Sequence, residues 1–130
     1  MKSRVGFIGI GQAGGNIIKL LDKQGFDTLA INSSREDLET LNIKNKILIP
    51  YSEGCNHDRN KAKNYFRKNG KDMLNNILET FRNKDIVYVV FSTGGGTGGG
   101  IGPILTDILS KKLKDKVVGI VCVLPSSKEA

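Results

Sequence analysis

Two cysteines, three prolines and one histidine are all that 130 residues supply of the residue types that staple, break or ligate. Cys55 and Cys122 lie far apart, and neither has a CxxC companion or a pair of histidines at ligand spacing, so structural zinc and a disulfide scaffold both drop out. Long apolar runs are missing as well. The longest, residues 117–124, is interrupted by Gly119 and falls far short of the roughly 18 residues a membrane helix needs. The start is positively charged, but Val5, Phe7, Ile8 and Ile10 are broken by Gly6, Gly9 and Gly11, a composition that does not build a signal-peptide core. The expected location is the cytoplasm, with no direct membrane association. No G-K-[ST] follows any glycine run, which excludes a Walker A loop.

What is present reads as one packed domain: 38% apolar residues, 25% charged, 16 glycines and a formal charge of +7 that favours anionic partners without naming one. Residues 5–10 are a short apolar run cut off by glycines, as for a buried first strand. A helix beginning near Gly14 should follow, with Ile17, Ile18, Leu20 and Leu21 inward, and Gly25 placed to stop it. Residues 28–31 read as a second strand. Ser34 followed by Glu36 and Asp37 marks a brief helix start, and residues 46–49 make a third strand closed by Pro50.

From Lys61 to Phe81 apolar positions recur at three and four, with Gly70 as the expected break between two helical pieces. Residues 86–91 are continuously apolar, as in a strand covered on both sides. Residues 102–113 repeat a helical pattern with Pro103 tolerable only in the first turn, and residues 117–124 supply another buried strand. Strands alternating with helices predict an α/β fold: a three-layer, Rossmann-like, open and mainly parallel sheet with helices on both faces. Ligands of such sheets sit beyond the carboxyl ends of the strands.

Three segments that follow strands carry unusual composition: the first loop with Gly11, Gln12, Ala13, Gly14, Gly15 and Asn16, then Gly54, Cys55 and Asn56, then Gly94, Gly95, Gly96, Thr97, Gly98, Gly99 and Gly100. Six glycines in the last seven positions cost backbone entropy, and close backbone approach to phosphate supplies a reason for them. Gly9, Gly11 and Gly14 also match G-x-G-x-x-G between a strand and a helix, so a nicotinamide or flavin dinucleotide is the alternative ligand. Against it stands Asn32, 21 residues after Gly11, where such a site offers Asp or Glu to the ribose. A second glycine-rich loop has no standard use there either.

The glycine run 94–100 resembles the signature loop of the tubulin and FtsZ superfamily. Gly11 to Asn16 resembles that family's first loop, Asn32 and Ser33 the start of its second, Gly54 to Asn56 a loose third and residues 125–129 the start of a fifth. The resemblance implies GTP or GDP held mainly by backbone groups at Gly11, Gln12, Ala13, Gly14, Gly15, Asn16, Asn32, Gly54, Cys55, Asn56, Gly94, Gly95, Gly96, Thr97, Gly98 and Gly99, with Glu129 matching a ribose contact and Mg2+ expected beside the nucleotide, though no acidic residue of the sequence is assigned to hold it. It implies further that residues 1–130 are an N-terminal GTPase domain with the second domain absent. In the parent, a head-to-tail filament would complete hydrolysis with acidic residues of a neighbouring subunit, so no catalytic residue is assigned here. Gln12 and Ala13 depart from the division-protein pattern and fit a plasmid- or phage-encoded relative that partitions DNA through a DNA-bound adaptor protein. A cell-division filament protein, an NAD-binding oxidoreductase domain and a basic DNA-binding adaptor are the alternatives.

Other residues are read more plainly. His57 is expected to be solvated and Cys55 unreactive, since neither has a partner that would recruit it. Cys122, inside an apolar strand, is expected in the core. The basic stretch Arg59, Lys61, Lys63, Arg67, Lys68 and Lys71 reads as a solvated or filament-contact face rather than a DNA stripe.

Overall fold

A computed structural model describes residues 2–49, 59–92 and 96–123. Five strands alternate with four helices: β1 (Val5–Ile10), α1 (Gly11–Lys23), β2 (Asp27–Asn32), α2 (Arg35–Thr40), β3 (Lys46–Leu48), α3 (Arg59–Thr80), β4 (Ile86–Ser92), α4 (Gly96–Lys112) and β5 (Val117–Val123). The strands form one sheet in the order β3-β2-β1-β4-β5, and every pairing is parallel. This is the expected doubly wound α/β fold.

Strand alternation sorts the core into two layers. Ile8, Ile10, Leu29, Ile31, Val87, Val89 and Phe91 pack with Met73, Ile77 and Phe81 at the end of α3 and with Leu105 and Leu109 of α4. Ala30 and Val90, on the opposite face, pack with Ile18 of α1 and Leu38 of α2. Residues buried on both faces explain why β1, β2 and β4 read as near-continuous apolar runs.

Four local expectations change. Gly70 does not divide α3, which runs unbroken through it. A helical glycine costs only about 1 kcal/mol against alanine, and burial of Met73, Ile77 and Phe81 along one face outweighs it. The last helix starts at Gly96, not Gly102, so Pro103 lies two turns inside it. Its ring leaves the Gly99 carbonyl without an N–H partner, a defect offset by complete or near-complete burial of Ile101 and Leu105.

Leu20 is 60% exposed rather than inward. Among the described residues β5 lies at the edge of the sheet and is not buried: Val117 is 63% exposed and Ile120 54%, and Cys122 is exposed instead of core. An apolar sequence shows that a strand can be buried; its place in the strand order decides whether neighbours exist to bury it.

At the amino end of the sheet, two lysines turn inward. Lys84 is 7% exposed, pairs with Asp27 at 2.5 Å and donates to the Ser3 carbonyl at 2.8 Å. Lys116 donates to the Arg82 carbonyl at 2.9 Å and to that of Lys84. These bonds tie the turn before β4 to the first residues of the chain and to β5.

Candidate functional site

The β1 and β4 strands are neighbours, with Gly9 opposite Val90. From β1 the chain moves outward to β2 and β3, and from β4 it moves the other way to β5. In open α/β sheets such a reversal marks the place where ligands bind, here the carboxyl ends of β1 and β4. Both glycine-rich segments begin there, α1 at Gly11 directly after β1 and α4 at Gly96 closely after β4.

The first of these helix starts is uncapped. Gly11 adopts φ 77°, accessible to glycine at little cost, and Ile10 before it is extended and offers no side-chain hydrogen bond to the helix. Among the described residues the leading N–H groups of α1 have neither intrahelical acceptors nor a side-chain cap from Ile10, and the helix dipole adds positive potential. The six-residue α2 is treated differently: the Ser34 hydroxyl accepts the Asp37 N–H at 3.2 Å. Among the described residues the short helix is capped by a side chain and α1 is not, and an uncapped helix start is suited to an anion.

Gly14 and Gly15 are buried, and packing accounts for them. A Cβ on Gly14 would run into the Val90 carbonyl oxygen, one on Gly9 would lie 2.5 Å from the Gly14 oxygen, and one on Gly15 would lie 3.0 Å from Leu41 Cδ1. Side chains here would lift α1 off the sheet. Gln12 and Asn16 are exposed and Ala13 is half-buried.

A hollow of about 40 Å³ beside the start of α1 is lined by Gly11, Gln12, Asn16, Asn32, Asp37, Thr40 and Leu41. Asn32, 4% exposed at the end of β2, is held at both ends of its amide: Oδ1 accepts the Ser34 N–H at 3.1 Å and Nδ2 donates to Asp37 Oδ2 at 3.3 Å. Its amide thus organises the turn after β2, a role sequence reading did not give it. Asp37 was missed altogether as a lining residue. The spacing from Ser34 signalled a helix start, and nothing in that pattern says which way the carboxylate faces.

Gly96, Thr97, Gly98 and Gly99 form the first turn of α4 rather than a loop before it. A Cβ on Gly102 would strike the Phe91 ring, so this helix also sits close on its strand, and α1 touches α4. Gly54, Cys55, Asn56, His57, Gly94, Gly95 and Glu129 lie outside the described residues, as do the side chains of the basic stretch 59–69.

A larger polar cavity of about 190 Å³ lies at the opposite end of the sheet, lined by Asp27, Glu79, Thr80, Arg82, Asn83 and Lys84. Its charges are already matched. Lys84 pairs with Asp27, and Arg82 bonds Glu79 at 2.7 Å and holds its carboxyl below the usual range. An anion gains nothing there that the carboxylates do not already take.

Two glycine-led helices starting after neighbouring parallel strands are common to several nucleotide folds, and comparison with known proteins separates them. The profile of the GTPase domain of the tubulin/FtsZ family matches residues 4–130. The chain belongs to the tubulin/FtsZ family. It is 40% identical over 132 residues to the tubulin-like protein TubZ of Clostridium botulinum C phage, covering 99% of this chain and 37% of that protein. It is 34% identical over 127 residues to cell division protein FtsZ 2 of Methanocaldococcus jannaschii, covering 92% of this chain and 32% of that one. Among solved structures, Clostridium botulinum phage c-st TubZ superposes with a TM-score of 0.86 at 34% identity, over 100% of this chain and 42% of that chain. The chain thus spans about two fifths or less of the curated tubulin/FtsZ relatives it matches. Among its described residues no helix is long and apolar enough to cross a membrane.

Proposed function

We propose that this domain binds GTP and GDP at the carboxyl ends of β1 and β4, as the nucleotide-holding part of a filament-forming GTPase. The observation that carries the reading is the uncapped start of α1 at Gly11, set beside a second glycine-led helix in a family whose matching profile is a GTPase domain. Backbone N–H groups of Gly11, Gln12 and Ala13, and of the first turn of α4, would take the phosphoryl oxygens. Gly94, Gly95 and the segment with Gly54, Cys55 and Asn56 are proposed to complete the cage, with Glu129 at the ribose.

Mg2+ fits as a companion of the nucleotide. Magnesium commonly binds through one or two carboxylates together with substrate phosphates, and Asp37 lines the hollow next to Gly11. Its carboxylate is the protein's share; the bound ion would neutralise phosphate charge. A bare carboxylate beside polyphosphate is otherwise repulsive.

Hydrolysis, in this proposal, is attack of an oriented water on the γ-phosphate with charge stabilised by the backbone cage. A neighbouring subunit of a head-to-tail polymer supplies the remaining groups, and the domain alone turns over little. The related CetZ1 of Haloferax volcanii, solved as a GDP-bound monomer at 27% identity and a TM-score of 0.79, supports the ligand. The 40% identity to a phage-encoded tubulin-like protein favours DNA partitioning through an adaptor over cell division. Calorimetric titration with GTP, NAD and duplex DNA tests the reading: GTP binding that Gly98→Ala weakens supports it, and preferential NAD or DNA binding rejects it.

A further inference from the structure

We propose that Asp37 makes the nucleotide site select the magnesium complexes of GDP and GTP over the free nucleotides. This selection rests on the phosphate-binding role proposed for the start of α1, and adds to it which ionic form of the ligand is admitted. The signs of charge at the site are mismatched. The chain has 20 basic and 13 acidic residues, yet among the described residues the hollow beside Gly11 and Gln12 is lined by no lysine or arginine, and Asp37 is its single charged residue. A carboxylate next to the place assigned to phosphoryl oxygens opposes them.

The carboxylate is anchored there. Asp37 Oδ2 accepts from Asn32 Nδ2 at 3.3 Å, the Asp37 N–H donates to Ser34 Oγ at 3.2 Å, and the Asp37 carbonyl accepts from the Thr40 hydroxyl at 2.9 Å. Asn32 is 4% exposed and is fixed in turn by the Ser34 N–H, so Asp37 is tied to the end of β2. It is half-buried, and the ion pairs among the described residues all lie elsewhere. The other acids of α2, Glu36 and Glu39, are exposed and stand outside the lining.

A half-buried carboxylate without a basic partner repels phosphate unless a cation lies between them. Magnesium binds through one or two carboxylates together with phosphates and keeps several of its waters. The hollow of about 40 Å³ has room for an ion with a few waters and is too small for a sugar or a base. Asp37 therefore attracts the ion-bearing ligand and repels the bare one. A residue serving only to hold α2 in place would change both affinities in the same direction.

Calorimetric titration of the 130-residue chain with GDP, in excess Mg2+ and separately in EDTA, tests the proposal. Binding in Mg2+ is expected to be tighter by about tenfold or more. Asp37→Asn should tighten binding in EDTA by roughly threefold to tenfold and weaken it in Mg2+, so that the two affinities converge. Asp37→Glu keeps the charge and should retain most of the magnesium dependence. Glu36→Gln removes the same charge outside the hollow and should leave the dependence as in the native chain. As a readout that needs no variant, Mn2+ in place of Mg2+ should broaden the amide resonances of Asp37 and Gly11 in the GDP complex. Parallel weakening of both affinities by Asp37→Asn, an unchanged magnesium dependence, or Mn2+ broadening remote from Asp37 overturns the proposal; GDP still binds in each case, and the nucleotide reading stands. Absence of GDP binding under both conditions overturns the two together.

Discussion

Gly14 of α1 lies so close to Val90 of β4 that a methyl group on it would collide with the Val90 carbonyl oxygen. The first glycine-rich segment and the strand leading to the second are thereby locked together by backbone contact, with no side chain between them. Positions of the two helix starts are fixed by packing before any ligand binds, which is the preorganisation a phosphate cage needs. Gly14→Ala should lower stability by about 1–3 kcal/mol, measurable as a lower midpoint in urea, and should weaken nucleotide binding in parallel.

Asn32 is predicted to be a structural organiser. Asn32→Asp sets a second carboxylate against Asp37, which the native amide now bonds at 3.3 Å. Like-charge repulsion raises the pKa of one carboxyl in the folded state above its unfolded value, so the folded form binds the extra proton more readily. The variant should lose about 1–3 kcal/mol at pH 7 and recover part of it as the pH falls towards 5. A thermal melt series across that range checks the sign.

The unbroken α3 makes Gly70→Ala stabilising. Replacing a helical glycine by alanine typically adds about 0.4–1 kcal/mol by reducing unfolded-state freedom. If the helix were two pieces joined at Gly70, the same change would cost stability, and a denaturation curve distinguishes the two.

Ser34→Ala removes the oxygen that accepts the Asp37 N–H. The expected loss is about 1 kcal/mol. Because Asp37 lines the hollow, calorimetry should also show weaker magnesium-dependent nucleotide binding, while binding without magnesium changes less.

How much of this was legible in the sequence follows from how local each determinant is. The start of α2 was readable because Ser34 and Asp37 settle it between themselves. The β1 strand and its glycine break were readable because apolar residues end where Gly11 begins. The exposure of Cys122 was not, since it depends on β5 falling at the edge of the described sheet, a property of strand order. Lys84 and Lys116 look like any surface lysines until the fold brings the Ser3 carbonyl to the first and the carbonyls of Arg82 and Lys84, in the turn after α3, to the second. The glycines of α4 advertise phosphate, yet their helical state depends on Ile101 and Leu105 being seated on the sheet, which no pattern within residues 94–100 contains. Asp37 was invisible as a site residue for a related reason: its neighbour Gly11 is far away in the chain.

In the proposed function, guanine nucleotide phosphates meet backbone N–H groups at one end of the sheet. An amide-resolved NMR titration of the 15N-labelled chain with GDP and Mg2+ reads those groups directly. Shifts should concentrate at Gly11, Gln12, Ala13 and the amides from Gly96 to Gly98, leaving Arg82, Lys84 and Lys116 unmoved. Saturable shifts confined to the amino end around Lys84, or no saturable shift at either glycine-led helix start, would contradict it.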